Sequence, residues 1–264
     1  MTYKENLVSI IMPAHNCEHH ISHAIESVLS QSYLNWELII VNDASNDNTL
    51  SKIKKYQSFE KKIKLINNSS NYGAAISRNI ALENADGKYI AFLDADDSWS
   101  SEKLWKQIKF MEENDYDFTY TYYENYHEKN GYFKFIQKAP SKINRFKMSF
   151  MCPIGCLTVI YNAEKLSKIY APNLKRRNDY ILWLEILKKS KFGYCLEENL
   201  ARYRLNETGL SSNKFLNIIY YLKVIRSSYK FWFIIFPVTM PIYLFLILIK
   251  KKAPIFYNRL IRFL

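Results

Sequence analysis

The chain has 264 residues, 48% hydrophobic and 23% charged, which excludes disorder and suits one large domain or one domain with an appendage. Six glycines and seven prolines exclude collagen-like or linker-dominated architectures, and a mean hydropathy of −0.25 excludes a polytopic membrane protein. The net charge of +12 is uneven: residues 214–264 hold nine basic and no acidic side chains, leaving 28 basic against 25 acidic before them.

The apolar runs 7–12 (LVSIIM), 36–41 (WELIIV), 63–66 (IKLI) and 89–93 (YIAFL) are short and apolar on both faces, as strands of a buried parallel sheet are. Helical spacing separates them: Ile21, Ile25, Val28 and Leu29, then 47–59, then Ile76, Ile80 and Leu82. This alternation predicts an α/β, Rossmann-like, mostly parallel central sheet flanked by helices. After Asp97 come a predicted helix capped by Ser100 or Ser101, a strand at 117–123, a polar irregular stretch over 124–150 and a strand at 156–161. A helix over 178–190, capped by its first two residues, and two short strands, GYCL and ARYRL, follow. The first apolar run is too short for a signal peptide, so the four cysteines read as free thiols of a reducing cytoplasm.

From Phe231 to Ile249 the chain carries no charge. As a helix this run would span about 28 Å, near the ~30 Å of a hydrocarbon core, but Pro237 and Pro241 are expected to interrupt it. Basic flanks on both sides and the basic, aromatic stretch before it point to a membrane surface, contacted through 215–264, and away from nucleic acid. Spanning, re-entrant and interfacial modes all stay open.

A doubly wound sheet binds ligands at the carboxyl ends of its strands. Those ends carry PAHN (13–16), NDASNDNT (42–49) and DADD (94–97), with neither a dinucleotide fingerprint nor a P-loop. Asp94, Asp96 and Asp97 would repel one another unless a cation or hydrogen-bond donors compensate, and a hard divalent cation shared with substrate phosphates is the economical choice.

VSIIMPAHN, ELIIVNDASNDNT, NYGAAISRNIALENADGKYIAFLDADDSW and RRNDYILWLEILKK, in that order and spacing, resemble the inverting family 2 glycosyltransferases with a GT-A fold, over about residues 6–213. CPIGCLTVIY and YRLNETGLSSNK (203–214) resemble the subgroup that builds bacterial cell-surface polysaccharides such as teichuronic acid or capsule. The resemblance implies a transferase domain at 1–213, its nucleotide-binding half 1–97 and acceptor half 98–213, followed by a membrane-associated segment at 214–264. It implies that Pro13, Ala14 and His15 line the nucleotide pocket, with His15 where the family commonly has Tyr. Asp43 would bond the uracil or ribose, Arg78 would approach the base or diphosphate, and Asp94 would face ribose and sugar. Asp96 would hold Mn²⁺ or Mg²⁺, and Asp179 would be the general base.

The donor implied is a UDP-sugar and the acceptor a glycan or lipid-linked oligosaccharide, met at the cytoplasmic face of a bacterial membrane by a peripheral, monotopic or single-anchored enzyme. The Q-x-x-R-W motif of processive members is absent, which favours adding one sugar. Two rivals stay open. One is a degenerate transferase fold serving as a membrane scaffold. The other is a D-x-D phosphatase, although that motif belongs on a first strand.

Overall fold

The computed structural model describes residues 3–126, 133–205 and 214–263. Strands β1 (Lys4–Ala14), β2 (Trp36–Asn42), β3 (Ile63–Asn67) and β4 (Gly87–Phe92) alternate with helices α1 (Ile21–Leu29), α2 (Thr49–Phe59) and α3 (Ala74–Glu83). β1 pairs in parallel with β2 and β4, and β2 with β3. Val8, Ile10, Met12, Leu38 and Ile40 pack into one core with α1, while Ile11, Ile39 and Val41 pack into a second core on the opposite face. Burial on both faces is why these strands lack a polar alternation.

The rest of the domain adds β5 (Ser98–Trp99), α4 (Lys103–Glu113), β6 (Phe118–Tyr126), β7 (Phe133–Gln137), β8 (Lys142–Asn144), α5 (Arg145–Phe150), β9 (Ile160–Asn162), α6 (Ala163–Leu166), α7 (Asn178–Ser190) and β10 (Phe192–Arg204). The sheet runs β3-β2-β1-β4-β9-β6-β10-β5, with β7 on β6 and β8 on β10. β9 is antiparallel to both β4 and β6 and joins the parallel first half to the mixed second half.

Local departures from the sequence expectation have local causes. Residues 133–150, expected to be irregular, hold β7, β8 and α5. Cys156–Thr158 is a 3-10 turn ahead of β9, pinned by the Trp99 indole donating to the Leu157 carbonyl at 2.7 Å. The two short strands are one, β10, whose polar middle coincides with register shifts between Leu196 and Ala201. No serine caps α4. Gln31, just past α1, instead accepts from the Leu104 N–H at 3.0 Å, so the cap is tertiary. All four cysteines are free. Residues 206–213 of the YRLNETGLSSNK segment lie outside the described residues.

The tail forms α8 (Lys214–Ser228), α9 (Trp232–Lys252) and α10 (Pro254–Phe263). α9 continues through Pro237 and Pro241, contrary to the expected break. Both prolines lie on its exposed side, and packing of the other side sustains the helix. Thr239, Tyr243 and Leu246 are buried, and Tyr243 stacks on Tyr221 of α8 at 3.9 Å. Residues 232–250 are long and apolar enough to cross a membrane, yet one side of the helix is packed against the domain. The outer side exposes Phe233, Ile234, Val238, Phe245 and Leu248, and α10 adds Ile255 and Phe256.

Because α8 and α9 complete the second core, deleting 231–264 is expected to uncover Tyr221 and neighbouring apolar side chains. A thermal melt of that truncated chain should show a lowered or lost transition. An unchanged transition would mean that α9 is only appended.

Candidate functional site

The carboxyl ends of β1, β2 and β4 open into a cleft of about 910 Å³, closed on its far side by the start of α7. Pro13, Ala14, His15, Asp43, Arg78, Asp94, Asp96 and Asp179 all line it. The fold thus gathers every residue singled out in the sequence into one cavity.

Asp43 follows β2 and is buried. Its carboxylate accepts from Asn68 Nδ2 at 2.8 Å, the Tyr72 N–H at 3.0 Å and the Gly73 N–H at 2.7 Å. Burial opposes its ionisation, but these donors outweigh burial and hold its pKa below the ordinary carboxylate value. Gly73 sits at φ 87°, a conformation that side chains resist, and it opens α3. Asp43 therefore fixes the 68–73 loop as well as facing the cleft. His15 Nδ1 lies 2.8 Å from the Asp43 carbonyl oxygen and Nε2 lies 3.0 Å from Asn71 Nδ2. A carbonyl only accepts, so Nδ1 carries the proton and Nε2 accepts from the amide.

The three acids after β4 have divided roles. Asp94 is ion-paired to Arg78. Asp97 is 2% exposed and accepts the Arg204 N–H at 3.0 Å through Oδ1, while its Oδ2 is buried without a partner. Burial, then the neighbouring Asp96 and Asp94 charges, push the Asp97 carboxyl well above the usual range. Asp96 is partly exposed, between the main cleft and a side cavity of about 260 Å³ lined by His20, His23 and Arg204. The repulsion expected among three carboxylates is thus lessened by Arg78, which neutralises Asp94, and by the raised pKa of Asp97, which favours its uncharged form. Asp96 lines both the main cleft and the side cavity. Among the described residues no three potential ligand side chains converge.

Arg78 bridges the two sides of the site. It rises from α3, is 6% exposed, and donates to Asp94 and, at 2.8 Å, to Asn178 Oδ1. Asn178 Nδ2 donates back to the Leu174 carbonyl at 3.1 Å. The helix cap expected from Asn178 or Asp179 does not form. The Ncap position is Arg177, in the left-handed region at φ 57°, with no side-chain cap. Asp179 is partly exposed in the first turn of α7. Burial raises its pKa, against the lowering influence of the Arg78 charge.

Lys175, Arg176 and Arg177, which carry no role in the sequence expectation, line the cleft just before Asp179. A run of three cations abutting a candidate active-site acid was the available signal.

A family model described as Glycosyl transferase family 2 matches residues 9–163. TuaG of Bacillus subtilis (strain 168), named for teichuronic acid biosynthesis, is 37% identical over 234 residues, 89% of each chain. WfgD of Escherichia coli, named as a UDP-Glc:alpha-D-GlcNAc-diphosphoundecaprenol beta-1,3-glucosyltransferase, is 43% identical over 214 residues, 79% of this chain and 81% of its own. The solved structure of S. aureus TarS 1-349 with UDP-GlcNAc superposes with a TM-score of 0.70 at 22% identity, covering 84% of this chain and 65% of that one, and supports the fold. This chain belongs to the family 2 glycosyltransferases, with a GT-A-like fold. It is a glycosyltransferase, as the names of its relatives TuaG and WfgD also say of them.

Replacing Arg78 with Ala would strand Asp94 and release Asn178, a loss of at most about 3 kcal/mol because the Asp94 side chain keeps 30% of its surface exposed to water. Chemical denaturation checks this, and wild-type stability in R78A would contradict the strut role.

Proposed function

We propose that this enzyme moves a single sugar, with inversion, from a nucleotide-diphosphate donor to a lipid-linked glycan at the cytoplasmic face of a bacterial membrane. The observation that carries the proposal is the convergence of Asp43, Asp94, Asp96 and Asp179 in one cleft at the sheet's carboxyl edge. UDP is the nucleotide proposed, in keeping with the UDP-Glc in WfgD's name and the UDP-GlcNAc in the TarS complex. A lipid-linked acceptor is in keeping with the diphosphoundecaprenol in WfgD's name.

In this reading Pro13, Ala14 and His15 bound the nucleotide, Asp43 meets the uracil or ribose, and Asp94 faces ribose and sugar. Asp96 would hold a divalent cation, Mn²⁺ or Mg²⁺, which supplies charge to offset that developing on the leaving diphosphate. A neighbour of the same fold, a mannosyltransferase from Pyrobaculum calidifontis, is described with GDP-Man and Mn²⁺. Arg78 serves by holding Asp94 and the start of α7 at a fixed separation, since its two Nη groups are already engaged there.

Asp179 takes the proton from the acceptor hydroxyl. The oxygen attacks the anomeric carbon from the face opposite the diphosphate, the glycosidic bond to phosphate breaks, and the configuration inverts. A base works best with a pKa near the operating pH, and burial moves Asp179 that way. Asp179 is active only when ionised, so the rate falls as pH drops through its raised pKa. The acid limb of the kcat profile should lie above the ordinary carboxylate range, and a limb at or below that range would contradict the assignment. Asp179→Asn should lower kcat by about 10²- to 10⁴-fold while UDP affinity holds. Wild-type turnover in D179N would remove the base.

Membrane contact through 215–264 is proposed to be monotopic. α9 lies with one side on the domain and presents Phe233, Ile234, Val238 and Phe245 outward, beside a segment without acidic residues. Changing these four residues to Ser should shift the folded protein from the membrane pellet to the supernatant. Continued sedimentation with membranes would refute the interfacial mode.

A further inference from the structure

One wall of the cleft carries charge that the proposed donor chemistry leaves unused. Lys175, Arg176 and Arg177 are consecutive cations on it. Arg177 donates to the Tyr243 hydroxyl of α9 and lies 5.4 Å over that ring, so it is committed to anchoring the start of α7 on the tail. Lys175 is exposed. Arg176 is half-buried, and its Nη1 is enclosed with no hydrogen-bond partner. Neither Lys175 nor Arg176 has a carboxylate ion-pair partner among the described residues. Adjacent cations without a counter-charge, one of them partly desolvated, make a local positive potential suited to an anion.

The position of this wall says which anion. The donor residues Pro13, Asp43 and Asp96 stand at the ends of β1, β2 and β4, whereas this wall lies just before Asp179. Arg176 also lies 5.9 Å over the Tyr220 ring of α8, so the cationic wall is continuous with the helices whose outer side carries the apolar patch. We propose that Lys175 and Arg176 form a subsite for the diphosphate of a lipid-diphosphate-linked acceptor. The lipid chain would leave along α8 and α9, and the acceptor sugar would reach Asp179. Two neighbouring phosphates match two neighbouring cations, and the guanidinium fork can engage one phosphate bidentately. The subsite rests on the transferase reading with a lipid-linked acceptor.

The test uses the full chain, with UDP and Mn²⁺ saturating so that the donor pocket is filled. Binding of octyl diphosphate and of inorganic pyrophosphate is measured on wild type and on K175A/R176A. Wild type should bind octyl diphosphate more tightly than pyrophosphate. The double variant should lose about 10- to 100-fold of that affinity, with UDP affinity unchanged. The exchange variant K175R/R176K, which keeps both charges, should retain most of it. Equal octyl diphosphate binding by wild type and K175A/R176A would overturn the subsite. Parallel loss of UDP binding would reassign these cations to the donor, and no preference for the alkyl chain would remove the lipid. UDP binding itself reports on the transferase reading, so the two can fail separately.

Discussion

Arg78 sits where the carboxyl ends of β1, β2 and β4 meet the start of α7, with its guanidinium buried and shared between Asp94 and Asn178. A buried charge is costly unless it is paired and hydrogen-bonded, so these two partners are nearly obligatory. That requirement sets the distance between the acid turn after β4 and the acid of α7. The cleft's two chemical ends are thereby tied by one side chain, and neither can drift without exposing an unpaired charge.

A second constraint is the fate of five carboxylates in a small volume. Asp43 spends its lone pairs on the 68–73 loop, Asp94 is neutralised by Arg78, and Asp97 is buried against the Arg204 N–H. Asp96 and Asp179 are left partly exposed, facing the cleft from opposite sides. Asp94 is partly exposed as well but is tied to Arg78, and the proposed function gives the cation to Asp96 and the proton to Asp179.

Much of this was legible in the sequence because the first half obeys local rules. Apolar runs between helical repeats gave the four parallel strands, and the strand ends gave the cleft residues. The second half was less legible because tertiary partners decide it. Gln31 caps α4 from just past α1, Trp99 holds the turn before β9, and β10 runs through a polar stretch that reads as a break. The buried bridging of Arg78 was hidden too, since a sequence shows a charge on a helix but not what it faces. In the tail the prolines suggested an interruption, and packing of Tyr243 and Leu246 overrode it.

The tail is also where structure and proposed function join, since α9 completes the core, grips Arg177 beside the site and turns its apolar side outward. The central claim is that one cleft holds a metal-assisted donor site at Asp96 and a separate base at Asp179. Calorimetric titration of UDP, with and without Mn²⁺, into wild type, Asp96→Ala and Asp179→Asn tests it most directly. Metal-dependent binding in wild type and D179N, lost in D96A, is the expected result. Absence of metal-dependent UDP binding in the wild type, or its persistence in D96A, would contradict it.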